Sequence, residues 1–469
     1  MLIEKPWSER KNARADTTLC IILAAYFLFT MMYLRLTPTM VYVDFGIKLS
    51  IPILLVTAFR IHPLPATART IMVLYVVLAA YTFLVSMTSE APQLEVLNTA
   101  KYMYPLLFLL ALFLILNPKT LSLRFLAVIP YLGALLAVQT IFVFISVQSG
   151  HAPPNQIIVL SAYKSMPYRN YGLLGFAEAT RAAGTNLQVY RAQSFFLEPT
   201  RLACFLESAI ILGYGLYSGK HRKRMLVCML LSAVAFIITF STTGYIAMFV
   251  TGIVFVFSKY GRRLGQIAPI AWVAAALVAL ACVYWYLVRI DTFYISGASV
   301  LNEAFGKSFT DVSHRLGSVQ DSIRLVYDHP LGIGVISNEQ SALIQNYLAA
   351  GDVIAPLHWL RIAGVLGVTL QLIVITTMLR MAIRYIPAGG IESYVGLAFV
   401  ANVVHHMVAG DWFDAKFFFL LACLVVMDAQ RNLVAVSRRR AALSMAERGR
   451  RPRLVVANGV PEVSNGLET

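Results

Sequence analysis

Two polar stretches hold the residues best suited to chemistry. The first closes with Arg191-Ala192-Gln193-Ser194-Phe195-Phe196-Leu197-Glu198-Pro199-Thr200-Arg201. The Arg191 guanidinium is a planar fork of donors that matches carboxylate or phosphate oxygens. Pro199 suits the first turn of a helix, which sets the Glu198 carboxylate at that helix's positive end. In the plainer reading Glu198 only caps the helix, while Arg191 and Arg201 anchor it. That reading is preferred for Arg201, whereas Arg191 and Glu198 are taken as candidate functional residues.

The second stretch includes Asp311 to Tyr327, where Leu316, Val319, Ile323 and Val326 recur at helical spacing. The polar face carries Arg315 and Arg324 among Asp311, Asp321 and Asp328. On spacing alone, a solvated helix with ordinary ion pairs is the preferred account. Pro330 stops the helix, and Leu331-Gly332-Ile333-Gly334 supplies a turn. The stretch closes at His358-Trp359-Leu360-Arg361, where an apolar run begins. An imidazole there can take a proton near neutral pH. Arg361 lies about one turn further on, and an arginine inside an apolar zone is costly enough to mark function.

Other chemistries find no support. The sequence has no paired carboxylates at DxD spacing, no HExxH and no glycine-rich phosphate loop. The five cysteines lie in or beside apolar runs, with no disulfide or zinc spacing. His405 and His406 ahead of Asp411 and Asp414 form the one metal-like grouping, and a short acidic turn is the preferred account of it. No metal and no cofactor is expected, so an anionic ligand must be held by arginine.

The elements that position these residues follow from composition. Of 469 residues, 58% are hydrophobic and 13% charged, with a mean hydropathy of +0.70. A soluble protein has about 25% charged residues, so this chain cannot clothe its core against water. The bilayer is its expected solvent. Long apolar runs predict about 12 transmembrane helices, near 19–34, 41–59, 70–88, 101–117, 125–148, 200–218, 225–240, 245–258, 267–288, 357–379, 393–409 and 416–430. The pair at 225–258 meets at Ser241-Thr242-Thr243-Gly244, either as two crossings or as a re-entrant pair. The first run reads as a retained span. The expected fold class is an all-α polytopic membrane protein.

Charge sets the expected orientation. Alternate connections beginning with the N-terminal tail hold most of the 39 lysines and arginines, which predicts that both termini are cytoplasmic. The net charge of +16 is therefore a topology signal and not a nucleic-acid footprint. The chain divides into an N-terminal tail (1–18), a transmembrane domain (19–430) and a basic tail (431–469). Arg438-Arg439-Arg440 is placed against anionic headgroups, and 441–469 reads as disordered. The loops 149–199 and 289–356 are too long to be linkers. They are expected on the extracytoplasmic face, and they carry the candidate residues.

Taken together, these features resemble the bacterial O-antigen ligase/polymerase superfamily. The resemblance rests on Phe240-Ser241-Thr242-Thr243-Gly244-Tyr245, on Arg315 with His329-Pro330-Leu331-Gly332-Ile333-Gly334, and on His358 with Gly364 to Gly367. Motifs cover roughly 190–375, and topology alone covers the rest. One departure is that Thr242-Thr243 stand where the family often has an arginine, which puts a headgroup contact there in doubt. Phe196-Leu197-Glu198-Pro199-Thr200 resembles the polymerase branch more than the ligase branch.

The resemblance implies a GT-C-like glycosyltransferase of the bacterial inner membrane, metal-independent and inverting. Its donor and acceptor would be undecaprenyl-diphosphate-linked oligosaccharides. Implied pathway partners are a flippase and a chain-length regulator. Arg191, Arg315, Arg361 and Arg324 would hold the diphosphate, with His358 or Glu198 as base. A ligase acting on lipid A-core is the nearest alternative. A 12-span transporter of lipid-linked oligosaccharides is the alternative of another class. Against transport stand the absence of an internal repeat and the few deep-lying ionisable residues, chiefly Asp44, Lys48 and Glu207.

Overall fold

The computed structural model describes residues 9–31, 38–88, 105–116, 123–149, 151, 156–158, 168–170, 176–181, 188–196, 199–217, 222–264, 324–334, 355–409 and 414–450. Among the described residues five helices come first: α1 (Glu9–Met31), α2 (Pro38–Ala58), α3 (Ala66–Met87), α4 (Pro105–Ile115) and α5 (Val128–Gln148). After a small sheet follow α6 (Pro199–Tyr217), α7 (Arg222–Ile238), α8 (Thr242–Leu264), α9 (Ala355–Tyr385), α10 (Ile391–Ala409) and α11 (Ala415–Arg450). The chain is predominantly helical, as composition requires.

Among the described residues, four helices are long and apolar enough to cross a membrane: Ala66–Met87, Phe125–Val147, Trp359–Ala388 and Ala415–Ser437. Shorter apolar helices lie at Thr17–Thr30, Gly46–Ala58, Pro105–Ile115 and Thr243–Lys259. The span expected at 267–288 lies outside the described residues. Val73, Val76 and Leu84 on α3, and Leu135, Phe142 and Ile145 on α5, stay exposed. Such apolar outer faces suit lipid and not water.

α6 is the central helix. Its buried residues run unbroken from Leu202 to Ala209, and it packs against α5, α7, α8 and α10. Small residues permit this closeness: a side chain at Gly133 of α5 would strike Ala209 of α6. The pair α7–α8 turns tightly through 239–241. Phe240 takes a positive φ of 48°, and Ser241 caps α8 by accepting the Gly244 N–H at 3.3 Å. The two helices then diverge, α7 against α5 and α6, and α8 against α10 and α6.

The first long loop adds an element that the all-α reading left out. Four antiparallel strands, β1 (Gln156–Ile158), β2 (Tyr168–Asn170), β3 (Phe176–Arg181) and β4 (Gln188–Ser194), pair in sequence order. The tail also differs from expectation, because α11 continues unbroken to Arg450. Alanine, leucine, methionine and arginine dominate 438–450, and all are strong helix formers.

Contacts define the two ends of the bundle. At one end the Tyr385 hydroxyl of α9 donates to Asp428 of α11 at 2.7 Å, and Thr67 of α3 donates to the same carboxylate at 3.1 Å. Arg431 lies over the Tyr385 ring and 3.5 Å from Glu392 of α10. The opposite end therefore gathers the end of α3, the starts of α9 and α11, and the end of α10.

Candidate functional site

At that opposite end, α9 is broken and a separate turn fills the break. Gly364 adopts φ 59° and ψ −163° inside α9, freeing carbonyls that a regular helix would use. Arg361 O accepts the Ile333 N–H, and Ile362 O accepts the Gly334 N–H, both at 2.9 Å. In return Val365 N–H donates to Pro330 O at 3.1 Å. Interrupted helical backbone at membrane depth needs such partners, since lipid offers none. Both glycines are obligatory: a Cβ on Gly364 would overlap Pro330 O, and one on Gly332 would overlap the Ile362 carbonyl. The Tyr81 hydroxyl of α3 also donates to Leu331 O, at 3.2 Å.

This junction joins two motifs that the sequence separates. His329 N–H donates to Leu325 O at 2.7 Å, so the turn continues directly from the helical residues 324–328. The helical residues 324–328, with Arg324 exposed, are thereby tethered through the turn to the part of α9 that holds His358 and half-buried Arg361. Trp359, between them in sequence, is wholly buried and pins this segment of α9. Arg315 and Glu198 lie outside the described residues.

Arg191 lies on β4, in register opposite Glu178 of β3. Two residues further on the strand plunges into the bundle. Gln193 and Ser194 are buried, and the Ser194 hydroxyl donates to Gln139 of α5 at 2.5 Å. Phe196 then meets Phe205 of α6 with ring centroids 6.3 Å apart, and α6 opens at Pro199. The loop end is thus threaded between α5 and α6, which fixes where Arg191 emerges.

A buried ionic cluster lies in the first turns of α6. The Glu207 carboxylate accepts from His405 Nδ1 of α10 at 2.6 Å. Lys416 of α11, wholly buried, donates through Nζ to the Cys204 carbonyl at 2.6 Å and to Cys204 Sγ at 3.1 Å. Asp414 lies 3.8 Å from the same ammonium and accepts the Lys416 backbone N–H at 2.7 Å. The Cys204 thiol donates to Asn402 Oδ1 at 3.6 Å, and Asn402 donates to Ser208 at 2.6 Å. Charges in so dry a setting persist only when paired.

Glu207 also reaches the capped start of α8. A Cβ on Gly244 would meet Ala203, Phe236 and Glu207 Oε1, so the glycine of the Ser241–Gly244 turn makes room for the carboxylate. The positive end of α8 then faces a negative group. The sequence reading had singled out Glu207 and had set His405, His406 and Asp414 aside as a plain acidic turn. It missed Lys416 and Cys204, although a lysine next to Phe417-Phe418-Phe419 was a usable signal.

Among the described residues, two groupings have metal-ligand chemistry: Cys204 with Glu207 and His405, and Cys204 with His406 and Asp414. Both depend on Cys204, whose sulfur and carbonyl already face the Lys416 ammonium. A cation is in place there, so the geometry fits an ion-pair network better than a metal centre.

The fold and site thus define a predominantly helical membrane protein with a broken helix and a buried ionic cluster toward one end of its bundle. Residues 227–375 match the family described as O-antigen ligase. That segment holds the Ser241 turn, the His329–Gly334 turn and the Gly364 break, and the match supports the O-antigen ligase/polymerase superfamily. No curated protein and no solved structure matches the chain.

Proposed function

We propose that this chain is an inner-membrane glycosyltransferase that polymerises undecaprenyl-diphosphate-linked repeat units for a surface polysaccharide. The observation that carries the reading is the family match across the two motifs that dock at Gly332 and Gly364. The reaction takes place on the extracytoplasmic face, where the two long loops lie. Both termini are cytoplasmic.

The leaving group is a lipid diphosphate, which gains negative charge as the glycosidic bond breaks. Arg191, Arg315, Arg324 and Arg361 hold it, and their forks do the electrostatic work that a metal does in other transferases. The acceptor hydroxyl gives its proton to a base, for which the resemblance offers His358 or Glu198. Base and diphosphate act on opposite faces of the sugar, so configuration inverts. The ligase reading, with lipid A-core as acceptor, is favoured by the description of the matched family and differs only in acceptor.

Purified protein in detergent, given lipid-linked repeat units and EDTA, is expected to build a ladder of longer lipid-linked glycans. Transfer only after lipid A-core is added would replace polymerase by ligase. No transfer by folded protein under either condition would shift the reading to transport.

A further inference from the structure

Glu207 and His405 stand in the relation of carboxylate to imidazole found in the base half of a catalytic triad. The carboxylate accepts from Nδ1 at 2.6 Å, which fixes the ring and leaves Nε2 as the working nitrogen. Both side chains are buried, at 0% and 1% exposure. Glu207 Oε2 and His405 Nε2 have no hydrogen-bond partner among the described residues. Two buried polar atoms with unmet capacity, one on each member of a short pair, mark a place for a further group. A hydroxyl can donate its proton to His405 Nε2, because Nδ1 carries the ring's N–H toward Glu207.

The position also suits chemistry at the bundle end. His405 is about one turn from the end of α10 at Ala409, and Lys416 is the second residue of α11. Glu207 lies beside the Ser241–Gly244 turn, inside the segment matched by the family. An imidazole one turn below the end of the bundle is shielded from water until an acceptor enters, which protects the donor from hydrolysis.

We propose that His405, oriented by Glu207, is the proton acceptor of the transfer step. This rests on the glycosyltransferase reading and reassigns the base. The acceptor hydroxyl oxygen forms a bond to the donor's anomeric carbon, and its proton passes to His405 Nε2. The bond from that carbon to the diphosphate oxygen breaks, and its electron pair leaves with the diphosphate. The imidazolium then returns its proton to the departing diphosphate or to water. Glu207 stabilises the imidazolium and acts as a positioning residue. His358 is left to the diphosphate side.

The groups around the pair are Cys204 on α6, His406 on α10, and Asp414 and Lys416 at the start of α11. The test compares His405→Gln, Glu207→Gln and His358→Gln with wild type, in the lipid-linked polymerisation assay, from about pH 5 to 9. His405→Gln is expected to lower kcat by roughly 10²–10⁴-fold, with KM for the lipid-linked donor unchanged. Glu207→Gln is expected to lower kcat by a smaller factor with KM unchanged, as a positioning residue should. His358→Gln, on the diphosphate side, is expected to raise KM for the lipid-linked donor.

Wild-type rate and pH profile in His405→Gln overturns the proposal. Should His405→Gln fail to fold, Glu207→Gln decides, and an unchanged kcat overturns it. Transfer by wild type and His405→Gln alike removes this assignment alone. No transfer by wild type with either acceptor removes the functional reading as well.

Discussion

Lys416 Nζ lies 2.6 Å from the carbonyl oxygen of Cys204 and joins the start of α11 to the first turns of α6. The ammonium faces Asp414 at 3.8 Å and stands 5.7 Å from the centre of the Phe205 ring. A lysine fully enclosed in an apolar bundle is costly unless its environment supplies compensating negative charge, and here it does.

Lys416→Met removes that cation while keeping the volume. The expected cost is about 2 kcal/mol, the scale for losing a hydrogen bond from a charged donor. A lowered unfolding temperature in detergent checks it. Unchanged stability would mean that the ammonium contributes nothing net after its own desolvation.

Gly364→Ala tests the break in α9. The alanine meets Pro330 O at a φ of 59°. Strain of roughly 1–3 kcal/mol is expected, relieved by undocking of the 329–334 turn. Faster proteolysis within 324–334 and loss of transfer should appear together. Gly332→Ala, on the other side of the same contact, should reproduce both effects.

Arginine replacements separate charge from shape. Arg191→Lys and Arg361→Lys keep the charge and lose the fork. If diphosphate contact is bidentate, each should raise KM for the lipid-linked donor by roughly tenfold or more. An unchanged KM with a lowered unfolding temperature would assign the arginine a structural role instead.

Asp428→Ala serves as a control at the other end of the bundle. It removes the acceptor of the Tyr385 and Thr67 hydroxyls. Stability should fall by about 1–3 kcal/mol, with transfer per folded molecule unchanged.

Particular residues mark how far the sequence was legible. Apolar runs located most of the described helices to within several residues, because hydropathy is a local property that the bilayer enforces. α1 nonetheless begins at Glu9, well before the run at 19–34, and the run at 267–288 lies outside the described residues. α6 begins at Pro199 as the proline implied, and the Ser241 turn falls between two helices as its composition implied. The sheet was less legible: β1 and β2 are three-residue strands, too short for an alternating pattern to show. α11 outran its apolar segment because helix propensity, not hydropathy, governs 438–450.

The sequence by itself determined the solvent of this protein, the order of its helices, and the loops and motifs that carry its polar residues. All of these depend on residues near one another in the chain. Only the tertiary structure decided that Gly332 meets Gly364, and that Glu207 finds His405 while Cys204 finds Lys416. Apolar periodicity tells which face of a helix turns inward and not which helix it meets. A buried charge on one helix therefore stays unexplained until packing brings its partner from far along the chain.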